Sequence, residues 1–210
     1  MFKSLAVISA AALMLCGCSP MMMLQKYDTV RPELNIPAGT SLAIGVRDIR
    51  PAIMNGEQSP FFTGIRHSGS VVCYHVYTDN ELSFADNIAG DIGRSLKEKG
   101  VHVTVYPIPS GMQEADAVRK LSEGNTKSVL ISLLEWKSWT FNKTELDYDL
   151  HIGVYGTDGK KLAEKRLAKH EELGGGPVKP WEHATYVLPK TLQQQIEMLF
   201  GDKEIARQLH

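Results

Sequence analysis

Residues 84–105 read FADNIAGDIGRSLKEKGVHVTV, and this stretch decides the fold class. Phe84, Ile88, Ile92 and Leu96 recur every four residues, with Ala85 and Ala89 beside them. That spacing predicts an amphipathic helix with one core-facing stripe. Ser83 is placed to cap its start. Lys97 and Lys99 sit in the last turn, where cations suit the helix dipole. Gly100 is a natural residue just past the end. Val101, Val103 and Val105 then continue as a strand. A striped helix running directly into a strand needs a sheet to cover, so the chain reads as a mixed helix-and-sheet protein.

Working outward, Ser41 to Ile49 alternates, with Leu42, Ile44 and Val46 on one side, and Asp48-Ile49-Arg50-Pro51 ends the strand. Residues 51–70 carry Pro51, Gly56, Pro60, Gly64 and Gly69 and read as a long loop or irregular hairpin. Val71 to Tyr77 is strand-like. Downstream, Met112 to Glu123 has the spacing of a second helix. Ser128 to Leu134 is almost wholly apolar, as in a central strand covered on both faces, and runs on through Trp136 and Trp139. Glu145 to Tyr155 alternates, Thr157-Asp158-Gly159 is a hairpin turn, and Lys160 to His170 is the partner strand. After the link Gly174–Pro177, a final helix is expected from Pro189 at its first position, then a short tail helix capped by Asp202. The expectation is an α+β fold: one domain over residues 41–210, with a mixed, mostly antiparallel sheet and two to three helices packed on it.

The N-terminus carries a different signal. Lys3 precedes an apolar run from Leu5 to Leu15. A helix crossing a bilayer needs about 20 apolar residues, so this run fits a secretory signal better than a span. It ends in Leu15-Cys16-Gly17-Cys18, the pattern of a lipobox: a leucine, two small residues, then the cysteine that takes a diacylglycerol. Residues 1–17 are therefore read as a lipoprotein signal peptide, Cys18 as the lipidation site, and residues 18–40, with Pro20, Pro32 and Pro37, as a tether. In species whose lipoproteins use aspartate at that place for inner-membrane retention, Ser19 implies export to the periplasmic face of the outer membrane, an expectation that rests on resemblance to known lipoproteins. The partners expected are the membrane, through the lipid, and an envelope protein.

Composition narrows the function classes. Of 23 Lys and Arg only Lys3 lies in residues 1–17, so 22 face 24 Asp and Glu after cleavage. That balance gives no electrostatic footprint for nucleic acid. With Cys16 discarded and Cys18 acylated, Cys73 is left without an internal disulfide partner. A buried strand cysteine is the favoured reading, and a reactive thiol or inter-chain bridge the alternative.

No HExxH, GxSxG, P-loop or GxGxxG motif is present. His67, Cys73 and His75 are weak metal candidates. Cys73 and His75 lie two apart, on one face of a strand, and thiolate with imidazole suits zinc or copper, but His67 sits in the loop and a full ligand set is not assured. Glu145, Asp147 and Asp149 share one strand face and read as its solvated side. Trp136, Trp139, Phe141, Trp181 and Tyr186 are core or interface aromatics. Trp139 and Trp181 are the partner-binding candidates, Trp181 because it lies in a Pro-flanked loop. No catalytic residues and no cofactor are expected.

The lipobox at Cys18, the segment Phe84 to Gly100 before a valine strand, the hairpin at Tyr155 to Gly159 and the terminal helix together resemble the YajG-type outer-membrane lipoproteins, over about three fifths of the chain. That resemblance implies an outer-membrane lipoprotein and supplies no catalytic residues. The function expected is a non-enzymatic binding or scaffolding module of the envelope. An auxiliary subunit of a lipid or solute transport system is the alternative, and a metal-binding hydrolase a more distant one.

Overall fold

The computed structural model describes residues 21–27, 29–68, 72–124 and 126–210. Its axis is the long apolar strand read from the sequence, Lys127–Thr140. In chain order the elements are β1 (Met21–Gln25), β2 (Ser41–Asp48), α1 (Pro51–Met54), β3 (Phe62–Ser68), β4 (Val72–Thr78), α2 (Phe84–Glu98), β5 (His102–Val105), α3 (Glu114–Ser122), β6 (Lys127–Thr140), β7 (Thr144–Tyr155), β8 (Lys161–Gly174), α4 (Pro180–Phe200) and α5 (Lys203–Leu209). One edge of β6 pairs with β7 along its length, and β7 pairs with β8. The other edge is shared. Its first half, to Leu133, pairs with β2, and its last residues, Ser138 to Thr140, pair with β3. Beyond β2 lies β5, and beyond β3 lie β4 and then β1. The sheet is forked.

The fork corrects the expectation of a mostly antiparallel sheet. Among the described strands, β1–β4, β2–β5, β2–β6 and β3–β6 are parallel. Only β3–β4, β6–β7 and β7–β8 are antiparallel. Hydrophobic alternation records which face a residue occupies and not which way a strand runs, so the sequence carried no warning. The chain passes from β2 through α2 to β5, then back through α3 to β6. These crossovers step in opposite directions, so right-handedness puts their helices on opposite faces of the sheet. Leu42, Ile44 and Val46 of β2 accordingly pack with α2, α4 and α5 in the larger core. Ala43 packs with α3, Leu130 and Tyr155 in a smaller one.

At the crotch of the fork, residues between Leu133 and Ser138 have no strand partner on that edge. Arg50 fills the gap. Its guanidinium grips both carboxylate oxygens of Asp48, at 2.9 and 2.7 Å, and donates to the carbonyls of Phe62 at 2.6 Å and Trp136 at 3.3 Å. It also lies over the Phe84 ring. Both side chains are almost fully buried. Asp48-Ile49-Arg50-Pro51 ends the strand as expected, and the two charges turn inward together. A little further along, β3 approaches β6 so closely that a Cβ on Gly64 would stand 2.5 Å from the Ser138 carbonyl oxygen.

Three further expectations are revised. The span 18–40 is no loose tether from residue 21 onward: β1 is an edge strand, and Tyr27, Val30, Leu34 and Ile36 are buried in the main core. Burial pushes the Tyr27 hydroxyl up to about 12, against the Trp136 indole N–H that donates to it. His67 belongs to β3 rather than to a loop. The last long helix starts at Pro180, and Pro189 lies inside it. Proline has no N–H to give the carbonyl four residues back. That carbonyl, of Thr185, instead accepts a hydrogen bond from the Gln25 side-chain amide of β1 at 3.2 Å. The Gln25 Oε1 in turn accepts from Arg66 of β3, which is buried. One glutamine thus ties the first strand to both the sheet and α4. The helices at 84–98 and 203–209 match expectation, with Ser83 and Asp202 as their caps.

Two stability predictions follow from these contacts. Asp48→Ala strands a buried guanidinium, so urea denaturation should show a loss of about 3–5 kcal/mol. Gln25→Ala leaves the Thr185 carbonyl without its donor and Arg66 without its acceptor, and should cost about 1–3 kcal/mol. Its hydrogen-exchange protection should fall first in β1.

Candidate functional site: the aromatic end of the sheet

The end of the sheet where β3 finishes, β4 begins and β6 turns into β7 gathers most of the expected site residues. Strand register places them. His67 faces Cys73 across the β3–β4 pair, and Cys73 Sγ lies 3.5 Å from His67 Nδ1. Ile65 lies between His75 on one side and Trp139 on the other. The ring of His67 rests on Trp139, centroids 4.2 Å apart, and meets Phe141 edge-on. On the opposite face, Trp181 near the start of α4 donates its indole N–H to the His67 carbonyl at 3.1 Å and packs edge-on against Tyr74. Between Phe141 and Trp181 runs an open groove of about 470 Å³, floored by His67 and walled by Pro177 and Pro180. Lys179, just before α4, is held at φ 56°, a conformation costly for a residue with a Cβ.

The sequence candidates separate here. Trp136 and Trp139 are three residues apart on one strand and so point to opposite faces. Trp136 is fully buried in the core, while Trp139 is 41% exposed. Cys73, expected to be buried, is exposed, because its face of β4 carries no covering helix. His67 and Cys73 come together, but His75 turns to the Tyr77 hydroxyl and the Phe62 ring. Among the described residues no three His, Cys, Asp or Glu are grouped to hold a metal. In a nucleophile–base pair a third group commonly orients the base. The imidazole here rests on Trp139 instead. What the site offers is apolar and aromatic contact area. Cys18 lies outside the described residues.

The sequence reading did not pick out a second, larger groove of about 670 Å³ between α3 and the β7–β8 hairpin. Its polar wall is a closed network. Tyr155 donates to Glu114 at 2.7 Å, and Arg47 and Lys161 flank the same carboxylate at 3.3 and 3.0 Å. The Tyr155 hydrogen bond leads in holding Glu114 below the usual carboxylate range, and burial drives the Tyr155 hydroxyl well up. These groups satisfy one another and pin α3 to the sheet.

Asp147 and Asp149 lie on the solvated side of β7, each paired across to β8. His170 Nδ1 stands 2.7 Å from Asp147, and Arg166 Nε 2.8 Å from Asp149. The Asp147 carboxylate holds the His170 imidazolium above its ordinary value of 6.5. Folding therefore favours the protonated ring. The contribution is present below the unfolded value and lost as pH rises through the higher folded one. It is small, because the pair is exposed. Titration followed by NMR should place His170 above 6.5, and Asp147→Asn should lower it with little change in stability.

No protein-family model matches the chain, and no curated protein matches it. Solved structures are similar in architecture. A Xanthomonas campestris protein of family DUF330 matches over 90% of this chain and 94% of its own, at 12% identity and a TM-score of 0.50. A minor lipoprotein of Acinetobacter baumannii matches over 80% and 94%, at 7% identity and a TM-score of 0.37. A lipoprotein of Neisseria meningitidis matches over 76% and 98%, at 15% identity and a TM-score of 0.30. At such identity the first likeness speaks for a shared fold alone, and the chain is a mixed α+β protein with the architecture of that DUF330 structure.

Proposed function

We propose that this chain is a lipid-anchored, non-enzymatic lipoprotein of the bacterial envelope, acting as a binding or scaffolding module at the periplasmic face of the outer membrane. One observation carries the reading. The lipobox cysteine stands three residues before a strand that is hydrogen-bonded into the sheet, so the anchor leads straight into the folded body. An acylated Cys18 would hold the domain close to the bilayer, with its working surfaces facing the periplasm or the membrane. Ser19 supports the outer rather than the inner membrane. The aromatic end, rich in contact area and lacking an oriented nucleophile, supports recognition rather than turnover. A lipoprotein of the YajG type fits the lipobox and the helix-glycine-strand unit.

The test is direct. Mass spectrometry of the full chain made in a bacterial host should find a mature N-terminus at Cys18 bearing diacylglycerol. Cys18→Ser should leave the signal peptide uncut and remove the acylated species. A wild-type product that keeps Met1, or carries an unmodified Cys18, refutes the anchor. Ser19→Asp, in a species that uses aspartate for retention, should move the protein to the inner-membrane fraction.

A further inference from the structure

The β1–β4–β3 part of the sheet has a partly exposed apolar face, and the register shows that it continues to Trp139 of β6. Met22 of β1, His75 of β4, Ile65 of β3 and Trp139 of β6 are successive partners across four strands, so all four side chains project from the same side. Leu24 pairs with Tyr77 in the next row. This is the side opposite α4; α3 packs on it at the far half of the sheet, against β2 and β6, and α1 with its following loop borders it beside Phe62 and Ile65. Met22 is 70% exposed, Leu24 61%, Trp139 41% and Phe141 42%. A contiguous group of large apolar side chains left in water marks a contact surface. On its β7–β8 side the row ends in Glu145 and Glu172, so the patch has a charged border.

We infer that this face, from Met22 to Trp139, lies against the lipid bilayer as a second contact beside the acyl anchor. The inference rests on lipidation at Cys18. Met22 is four steps along the chain from that cysteine, and extended chain spans at most about 3.6 Å per residue, so the lipid attachment is held within about 14 Å of the exposed face. Tethered that closely, the edge strand cannot leave the membrane surface, and the first side chains available to meet it are Met22, Leu24 and the aromatic rings. Trp, Tyr and His suit the zone between headgroups and hydrocarbon, where one end of the ring is wet and the other apolar. Glu135 and Lys137 lie on this side of β6 at the edge of the patch, and the row from Met22 to Trp139 itself holds no lysine or arginine, so its contact is apolar and a neutral lipid is the proper probe. Glu145 and Glu172 mark where the sheet lifts away. The fold becomes a platform with a fixed tilt, one sheet face down and the helices α2, α4 and α5 outward.

The experiment uses the full chain, processed in its host and reconstituted into phosphatidylcholine vesicles with or without brominated acyl chains. Bromine quenches only indoles that reach the acyl region. Emission should fall in brominated vesicles by about the share that Trp139, one of three indoles, contributes, and Trp139→Phe should remove most of the quenchable part. Cys73, on the same face, provides a second readout. Its alkylation by a water-soluble maleimide should be at least tenfold slower than that of a thiol introduced by Lys160→Cys in a Cys73→Ser background, at the distant hairpin. Acylated protein with unquenched Trp139 and freely reactive Cys73 overturns the placement and leaves the anchor standing. Protected Cys73 without quenching, with Cys73-linked dimers on oxidation, overturns it in favour of a second copy of the chain. Absence of the acyl group by mass spectrometry of the same sample overturns the anchor, and the placement with it.

Discussion

A guanidinium sitting where a strand should be holds this molecule together. β6 offers one edge to two different partners, and two strands cannot meet end to end without leaving backbone carbonyls unpaired between them. Buried carbonyls without donors are costly. Arg50 supplies the donors, reaching Phe62 and Trp136 at once, and Asp48 supplies the countercharge. Neither residue is tolerable alone in that position. Together they let the sheet divide into a half that carries β2 and β5 under α2 and α3, and a half that carries β3, β4 and β1 with one face partly exposed. The functional reading stands on that second half, so the aromatic end exists because the fork does.

The sequence made some of this legible. The helix at 84–98 and its cap, the central apolar strand, the β7–β8 hairpin and the tail helix were all visible, because each is governed by local periodicity and turn chemistry. What escaped depended on distant partners. Asp48 and Arg50 read only as the end of a strand, since their partners lie far along the chain. His67 was lost among glycines and prolines that read as loop, although Gly64 is there because β3 passes too close to Ser138 for a side chain. Residues 21–36 looked like tether because three prolines obscured Tyr27, Val30, Leu34 and Ile36, which are spaced irregularly and meet the core only in three dimensions. Pro189 looked like a helix start, since a proline that begins a helix is far commoner than one whose orphaned carbonyl is satisfied from another strand.

The candidate site shows the same division. That Trp136 and Trp139 face opposite ways is arithmetic on a strand, and one is core while the other is surface. That His67 and Cys73 meet is a matter of register, which the sequence does not state. Their meeting sets the imidazole on Trp139. Aromatic rings, a methionine and a thiol share one sheet face, beside a groove between Phe141 and Trp181.

The parallel pairing of β1 with β4 gives the molecule a mechanical character. A pull on the N-terminal end of β1 acts along the strand, so the five residue pairs from Met21–Tyr74 to Gln25–Thr78 bear the load together in shear instead of opening one after another. At the far end of that strand, the Gln25 amide passes tension into the middle of α4 through the Thr185 carbonyl. Drag on the domain would therefore be shared between sheet and helix, and the first strand would resist peeling at the point where the chain is fastened.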